Sequence, residues 1–230
     1  MFEYLRERGG KVFVNADLPD LMADSSGMQR ITYALHNTAD YQSRSIKNNH
    51  FASVALPGGT MIESKLAGSF NAINLVLAAA VGSYFGIEES EIAHALESYT
   101  PKLNRSQVIA YKDATIVMDA YNANPSSMIL AIKSFMQMPG DKKCVILADM
   151  LELGKYAKQE HKNIIELLST LHLQRIILIG PLFGEHANLI PCRHFSDTAS
   201  AVDWFKAEDF SGWLILLKGS RGFQLEKLLA

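Results

Sequence analysis

Apolar and polar positions change rhythm near the middle of this chain. Up to Tyr99 the pattern is mixed. Lys11–Asp17 (KVFVNAD) predicts a strand that runs into a turn. Ala52–Leu56 and Thr60–Lys65 flank Pro57-Gly58-Gly59, residues that supply turn dihedrals, so the pair predicts a hairpin. Asn71–Gly86 predicts a helix closed by glycine, and Glu89–Tyr99 a second, amphipathic one. Beyond Pro101 the pattern becomes regular. Short apolar runs at Thr115–Met118, Cys144–Leu147, Arg175–Ile179 and Trp213–Leu217 alternate with helical patterns at Ser126–Met138, Gln159–His172, Phe183–Leu189 and Phe223–Leu229. A further helix is predicted over Ser200–Glu208, ahead of the fourth run. Such alternation implies βαβ units and a mainly parallel sheet, hence an α/β fold with a Rossmann-like second part. The chain therefore reads as two domains, residues 1–100 and 101–230.

Composition adds exclusions. The 230 residues carry 22 Lys+Arg against 24 Asp+Glu, a net charge of −2, which argues against a domain held to nucleic acid by bulk electrostatics. Cys144 and Cys192 are too few for a disulfide framework or a four-thiolate metal site and read as reduced core thiols. Met1–Gly10 is charged and lacks the apolar stretch of a secretory leader. Ala72–Phe85, the most apolar segment, is too short to span a bilayer. A cytoplasmic protein is the expectation.

In open parallel sheets ligands collect at the carboxyl ends of the strands. Those ends here are Asp119–Asn124, Asp149–Glu152, Gly180-Pro181 and Lys218–Arg221. In DAYNANP (Asp119–Pro125), a carboxylate suits a ribose diol, Tyr121 a flat base and the two amides its edge. The same residues suit a turn, and Asn124 or Ser126 equally suits the cap of the following helix. Lys218-Gly219-Ser220-Arg221 sets a flexible cation, a hydroxyl and a guanidinium together, a combination for phosphate or carboxylate or simply a solvated turn. Asn71 and Asn74 share a helix face and could read an adenine edge or serve the first turn of a helix. Asp149, Glu152 and His161 could form an acid–base or metal group, although no HxH or HExxH spacing supports a metal. No GxxxxGK[ST], GxGxxG or GxSxG occurs.

Taken in order, GSFNAIN (from Gly68), RSQ (Arg105–Gln107), DAYNANPSSM, LADMLELG (Leu147–Gly154) with His161 after it, and KGSRG (Lys218–Gly222) resemble the Mur ligases. Among these they look most like the branch that adds D-Ala-D-Ala to a UDP-N-acetylmuramoyl-tripeptide. The resemblance runs from about Lys11 to the C-terminus. It implies an ATP- and Mg²⁺-dependent amide ligase of peptidoglycan synthesis, in which ATP activates a carboxylate as an acyl phosphate that the dipeptide amine attacks. It further implies that Asn71 and Asn74 contact adenine, Arg105 and Asp119 ribose or phosphate, and Tyr121 and Asn124 complete the nucleotide site. Lys218, Ser220 and Arg221 would face the peptide, with Asp149, Glu152 and His161 as weaker substrate-side candidates. Phe70, Ala148 and Ala120 depart from residues usual in the family.

The resemblance also assigns residues 1–100 to the C-terminal part of a central ATPase domain. On that reading the P-loop, the metal ligands and the UDP-sugar pocket lie in an N-terminal portion outside this chain, whose partners are that portion, the UDP-tripeptide and D-Ala-D-Ala. The chain alone is then expected to be inactive, since phosphoryl transfer depends on the loop and metal. The alternative is a non-catalytic module that binds nucleotide or precursor.

Overall fold

The structure is a computed structural model that describes residues 2–47, 50–102 and 104–230. It divides into two compact units, Met1–Thr100 and Pro101–Ala230. No helix among the described residues is long and apolar enough to cross a membrane.

The first unit holds two small sheets. Helix α1 (Phe2–Glu7) precedes β1 (Lys11–Asn15), α2 (Pro19–Asp24), β2 (Gln29–Ala34) and β3 (Tyr41–Gln42). The three strands run parallel in the order β1-β2-β3. Asp17, just past β1, ties two strand ends together, its carboxylate accepting the N–H groups of Leu35 and Asn37, each at 2.8 Å. β4 (Arg44–Ile46), β5 (Phe51–Ala55) and β6 (Met61–Ala67) form an antiparallel sheet. β5 and β6 are the hairpin expected around Pro57-Gly58-Gly59, with Gly59 at a φ of 96° that disfavours a side chain. Helices α3 (Ala72–Tyr84) and α4 (Glu89–Ser98) follow. Leu75, Val76 and Ala79 of α3 and Ile92 of α4 pack on Val54 and Ile62 in one buried cluster. Burying each larger side chain contributes roughly 2 kcal/mol. At the start of α4, the Glu89 carboxylate accepts from Gly58 and Thr60, joining helix to hairpin turn.

The second unit is a six-stranded sheet in the order β11-β10-β9-β12-β8-β7. It is built from β7 (Gln107–Tyr111), β8 (Ala114–Asp119), β9 (Lys142–Ala148), β10 (Arg175–Ile179), β11 (Arg193–Phe195) and β12 (Trp213–Lys218). All neighbours pair parallel except β7, which forms an antiparallel hairpin with β8. Helices α5 (Pro125–Gln137), α6 (Ala157–Ser169), the short α7 (Pro181–Gly184) and α8 (Thr198–Ala207) connect the parallel strands. One face of the sheet, with Ile116, Met118, Ile146, Ile179, Ile215 and Leu217, is buried with Ala201 and Phe205 of α8. Because side chains alternate along a strand, Val117, Val145, Leu147, Leu178 and Leu216 face the other way, and they are equally buried. Both faces are thus covered, as parallel sheets require.

The structure adds five strands to the sequence expectations and corrects two helices. Strands β2, β3, β4, β7 and β11 escape the apolar pattern because they are short or only partly buried. The helix expected over Phe183–Leu189 is the single turn α7 followed by a 3₁₀ turn at Ala187–Leu189. The one expected over Phe223–Leu229 is two 3₁₀ turns, broken by Gln224 at a φ of 49°.

Candidate functional site

The parallel strands of the second unit deliver their carboxyl ends to one rim. β12 lies between β8 and β9, and the register sets Lys218 beside Asp119 on one side and Leu147 on the other. Residues 99 positions apart therefore meet: Lys218 Nζ donates to Asp119 Oδ2 at 2.6 Å. Lys218 is only 1% exposed, and its ammonium also approaches the Asn122 carbonyl at 3.4 Å. Asp119 keeps more access, with 18% of its side chain exposed. Its Oδ1 accepts the Ser106 N–H at 3.2 Å. Beside this pair the Arg105 guanidinium lies over the Tyr121 ring, 3.6 Å from its centroid. The ring face attracts the cation, and stacking leaves the guanidinium edge free for an anion. Arg105, Asp119 and Tyr121 thus share one corner of the rim.

Asn124 lies at the start of α5. Its Oδ1 accepts the Ser127 N–H at 2.9 Å, while Ser127 Oγ accepts the Asn124 N–H at 3.1 Å. This reciprocal pair satisfies two of the free donors at a helix start. Of the two readings the sequence left open for Asn124, the structure displays the cap.

Across the rim, Ser220 joins the ends of β12 and β9. Its Oγ accepts the Leu151 N–H at 2.9 Å, and its own N–H donates to the Asp149 carbonyl at 3.3 Å. Arg221 is exposed and ion-paired with Glu226. Asp149 and His161 are brought together but sealed, 1% and 0% exposed. The Asp149 carboxylate accepts from Leu182 and Phe183, each at 2.9 Å, and so caps α7. His161 Nδ1 bonds the Ala157 carbonyl at 2.7 Å, which makes it the protonated nitrogen, and Nε2 accepts the Met150 N–H at 2.9 Å. Both groups hold backbone at the rim rather than face outward. Glu152, third of the expected trio, is exposed, its backbone at a φ of 70°. In the first unit Asn71 and Asn74 also meet. Asn71 Nδ2 donates to the Ala67 carbonyl at 2.7 Å, and Asn74 Nδ2 to Asn71 Oδ1 at 3.0 Å. Asn71 is buried and Asn74 exposed, so only Asn74 offers a polar edge to solvent.

Burial holds the His161 pKa below the ordinary value of 6.5 and pushes the Asp149 carboxyl above its usual 3.8, despite its two amide bonds. The unfolded chain then binds a proton at His161 more readily than the fold does. Stability from the neutral imidazole is full above pH 6.5 and is lost as pH falls below it. Asp149 acts with the opposite sign, its contribution rising as pH falls through its folded pKa. His161→Gln removes the histidine contribution, so the advantage of the wild type over this variant in urea midpoint, read by tryptophan fluorescence, should shrink as pH falls from 7 to 5. A difference that stays constant with pH would rule out His161 as a source of pH dependence.

With this geometry in place, the Mur ligase glutamate-ligase domain matches residues 104–221, half of the chain. The chain belongs to the Mur ligase family. The matched stretch contains Arg105, Asp119, Tyr121, Lys218 and Ser220, so the family domain and the polar rim coincide. Among curated relatives of this Mur ligase chain, the UDP-N-acetylmuramoyl-tripeptide–D-alanyl-D-alanine ligase of Bacillus subtilis is 30% identical over 98% of this chain and 51% of the relative. The ligase of the same name from Treponema pallidum is 28% identical, over 74% of this chain and 38% of its own length. The chain therefore spans about half the length of the curated relatives it matches. Solved MurF structures share the fold. One from Acinetobacter baumannii has a TM-score of 0.79 at 24% identity, covering 96% of this chain and 51% of its own. One from Thermotoga maritima in complex with ADP has a TM-score of 0.77 at 21% identity, covering 96% and 52%.

One rim residue escaped the sequence reading of this Mur ligase domain. Ser106 supplies a backbone N–H to Asp119 from a φ of 48°, which no side-chain pattern announces. Gly180, already named by its strand end before Pro181, shows in the structure why it is glycine: a Cβ there would meet the Asp149 carboxylate.

Proposed function

We propose that this chain supplies nucleotide and peptide contacts to an ATP-dependent amide ligase of peptidoglycan synthesis, one that joins D-Ala-D-Ala to a UDP-N-acetylmuramoyl-tripeptide. The observation that carries this reading is the meeting of Arg105, Tyr121, Asp119 and Lys218 at one corner of the domain that matches the family. ATP, when bound, supplies the phosphoryl group that activates a carboxylate. A carboxylate offers about four lone-pair sites. Asp119 uses two of these, on Lys218 and Ser106, and keeps others for a ribose diol. Arg105, flattened on Tyr121, presents its edge to phosphate, and Tyr121 presents exposed aromatic surface to a base. Asn124 beyond its cap would add an amide contact there, and Asn74, steadied by Asn71, is the amide that the first unit by itself offers to an adenine edge. On the peptide side, Arg221 binds a carboxylate by exchanging Glu226 for it. Ser220, Lys218, Asp149 and His161 position the rim, and exposed Glu152 faces the peptide.

Among the described residues no group of three or more His, Cys, Asp or Glu side chains is arranged to hold a metal ion. Mg²⁺ is ordinarily held by one or two carboxylates with phosphates and water. On the ligase reading its protein ligands lie in the part of the relatives that this chain does not span.

Titration of isotope-labelled chain tests the assignments. ADP should shift the amides of Arg105–Ser106 and Asp119–Asn124, with a Kd of about 1 mM, near the weak end of measurable binding. D-Ala-D-Ala should shift Lys218–Gly222. Arg105→Ala should weaken ADP about tenfold, equal to roughly 1.4 kcal/mol, and leave the dipeptide response intact. Both ligands moving the same amides, or neither moving any, would overturn the roles.

A further inference from the structure

The ion pair beyond β12 is only half satisfied. Arg221 Nη1 donates to Glu226 Oε1, and the two side chains are 52% and 33% exposed. Glu226 Oε2, by contrast, is buried and has no hydrogen-bond partner among the described residues. A carboxylate offers about four lone-pair sites, and an oxygen left unpaired away from water costs free energy that a new donor recovers. The pair is therefore poised to open. It also straddles a joint: Gln224, at a φ of 49°, separates the 3₁₀ turn that carries Arg221 from the one that carries Glu226. Leu225 and Leu228, both fully buried, pin that second turn to the core, so the carboxylate can swing without the turn moving. Beside the pair, Leu151 is 43% exposed and lies against Gly222, where a Cβ would come 3.1 Å from its methyl. A cation, an anion and an apolar side chain thus meet at this part of the rim.

We infer that Glu226 is a substrate ligand, taking the ammonium end of the dipeptide while Arg221 takes its carboxylate. The inference rests on the ligase reading above and adds a residue that reading leaves out. An α-amino group, with an ordinary pKa of about 8, is mostly cationic at pH 7, so the dipeptide is a zwitterion. Extended, its two residues span about 7 Å. Opposite charges that now touch need part by no more than that to receive both ends. Opening exchanges one internal ion pair for two to the ligand and gives Glu226 Oε2 a donor. The small side chains of the dipeptide find Leu151 beside them. An anion that lacks an ammonium gains less, because it must displace Glu226 without offering it a new partner.

Isotope-labelled chain is titrated with D-Ala-D-Ala, with its N-acetyl derivative, which lacks the ammonium, and with its C-terminal amide, which lacks the carboxylate. The amides of Lys218–Gly222 and Glu226 report binding. The wild type is expected to bind each derivative about fivefold more weakly than the dipeptide, the scale of an exposed ion pair. Glu226→Gln should erase the penalty for acetylation and keep that for amidation, and Arg221→Met should do the reverse. Each ratio is read within one variant, so a general loss of affinity cancels. Two results would each overturn the inference. One is an acetylation penalty that persists in Glu226→Gln, including the case where both peptides bind that variant more tightly and Glu226 is only an internal competitor. The other is loss of the penalty in Glu152→Gln instead. Either result, with the dipeptide still shifting Lys218–Gly222, leaves the peptide-site reading standing. No response to the dipeptide at all defeats that reading and this inference with it.

Discussion

Gly180→Ala is expected to destabilise the second unit by about 3 kcal/mol or more, from backbone strain and lost hydrogen bonds together. Gly180 has a φ of 115° and a ψ of 157°, a region that essentially only glycine occupies. A Cβ there would land on the Asp149 carboxylate. The carboxylate could yield only by releasing the Leu182 and Phe183 N–H groups it caps, within the interior. Both tryptophans of the chain, Trp204 and Trp213, lie in the second unit, so fluorescence-monitored urea unfolding reads that unit directly. An Asp149→Ala background should absorb the contact part of the penalty and leave the conformational part. A loss below about 1 kcal/mol, an ordinary surface-scale effect, would show that the loop relaxes freely and that Gly180 is not required.

Asp119→Ala should cost about 3 kcal/mol, because it strands the Lys218 ammonium without its counter-charge. The remaining partner, the Asn122 carbonyl at 3.4 Å, is too distant to replace a 2.6 Å ion pair in so buried a position. Lys218→Met should cost less. It leaves behind Asp119, which keeps solvent access and the Ser106 N–H. The double variant should fall well short of the sum, since removing both charges removes the unpaired one. Additive losses in the same fluorescence assay would mean that the two side chains do not support each other. Because this pair also orients the Asp119 carboxylate, the Lys218→Met variant should bind ADP more weakly even where it folds.

By itself the sequence determined the alternation of strands and helices that produces a mainly parallel α/β sheet. β8, β9, β10 and β12 were legible because a strand buried on both faces is a continuous apolar run, and the residues after each run name the rim. It also determined the ordered motifs that identify the family. The partly buried edge strands β7 and β11 were not legible, since half-exposed positions carry weak apolar signal. Only the tertiary structure decided which polar residues face a ligand and which hold the rim in place. Lys218 reads along the chain as a cation for phosphate or carboxylate, or as part of a solvated turn, but the insertion of β12 between β8 and β9 buries it against Asp119. Asp149, just past β9, and His161, on α6, read as candidate chemistry, but both turn toward backbone groups that burial leaves without water. The physical reason is that a buried polar group must find a partner, and partners supplied from distant strands are set by sheet order and register, which local pattern does not encode.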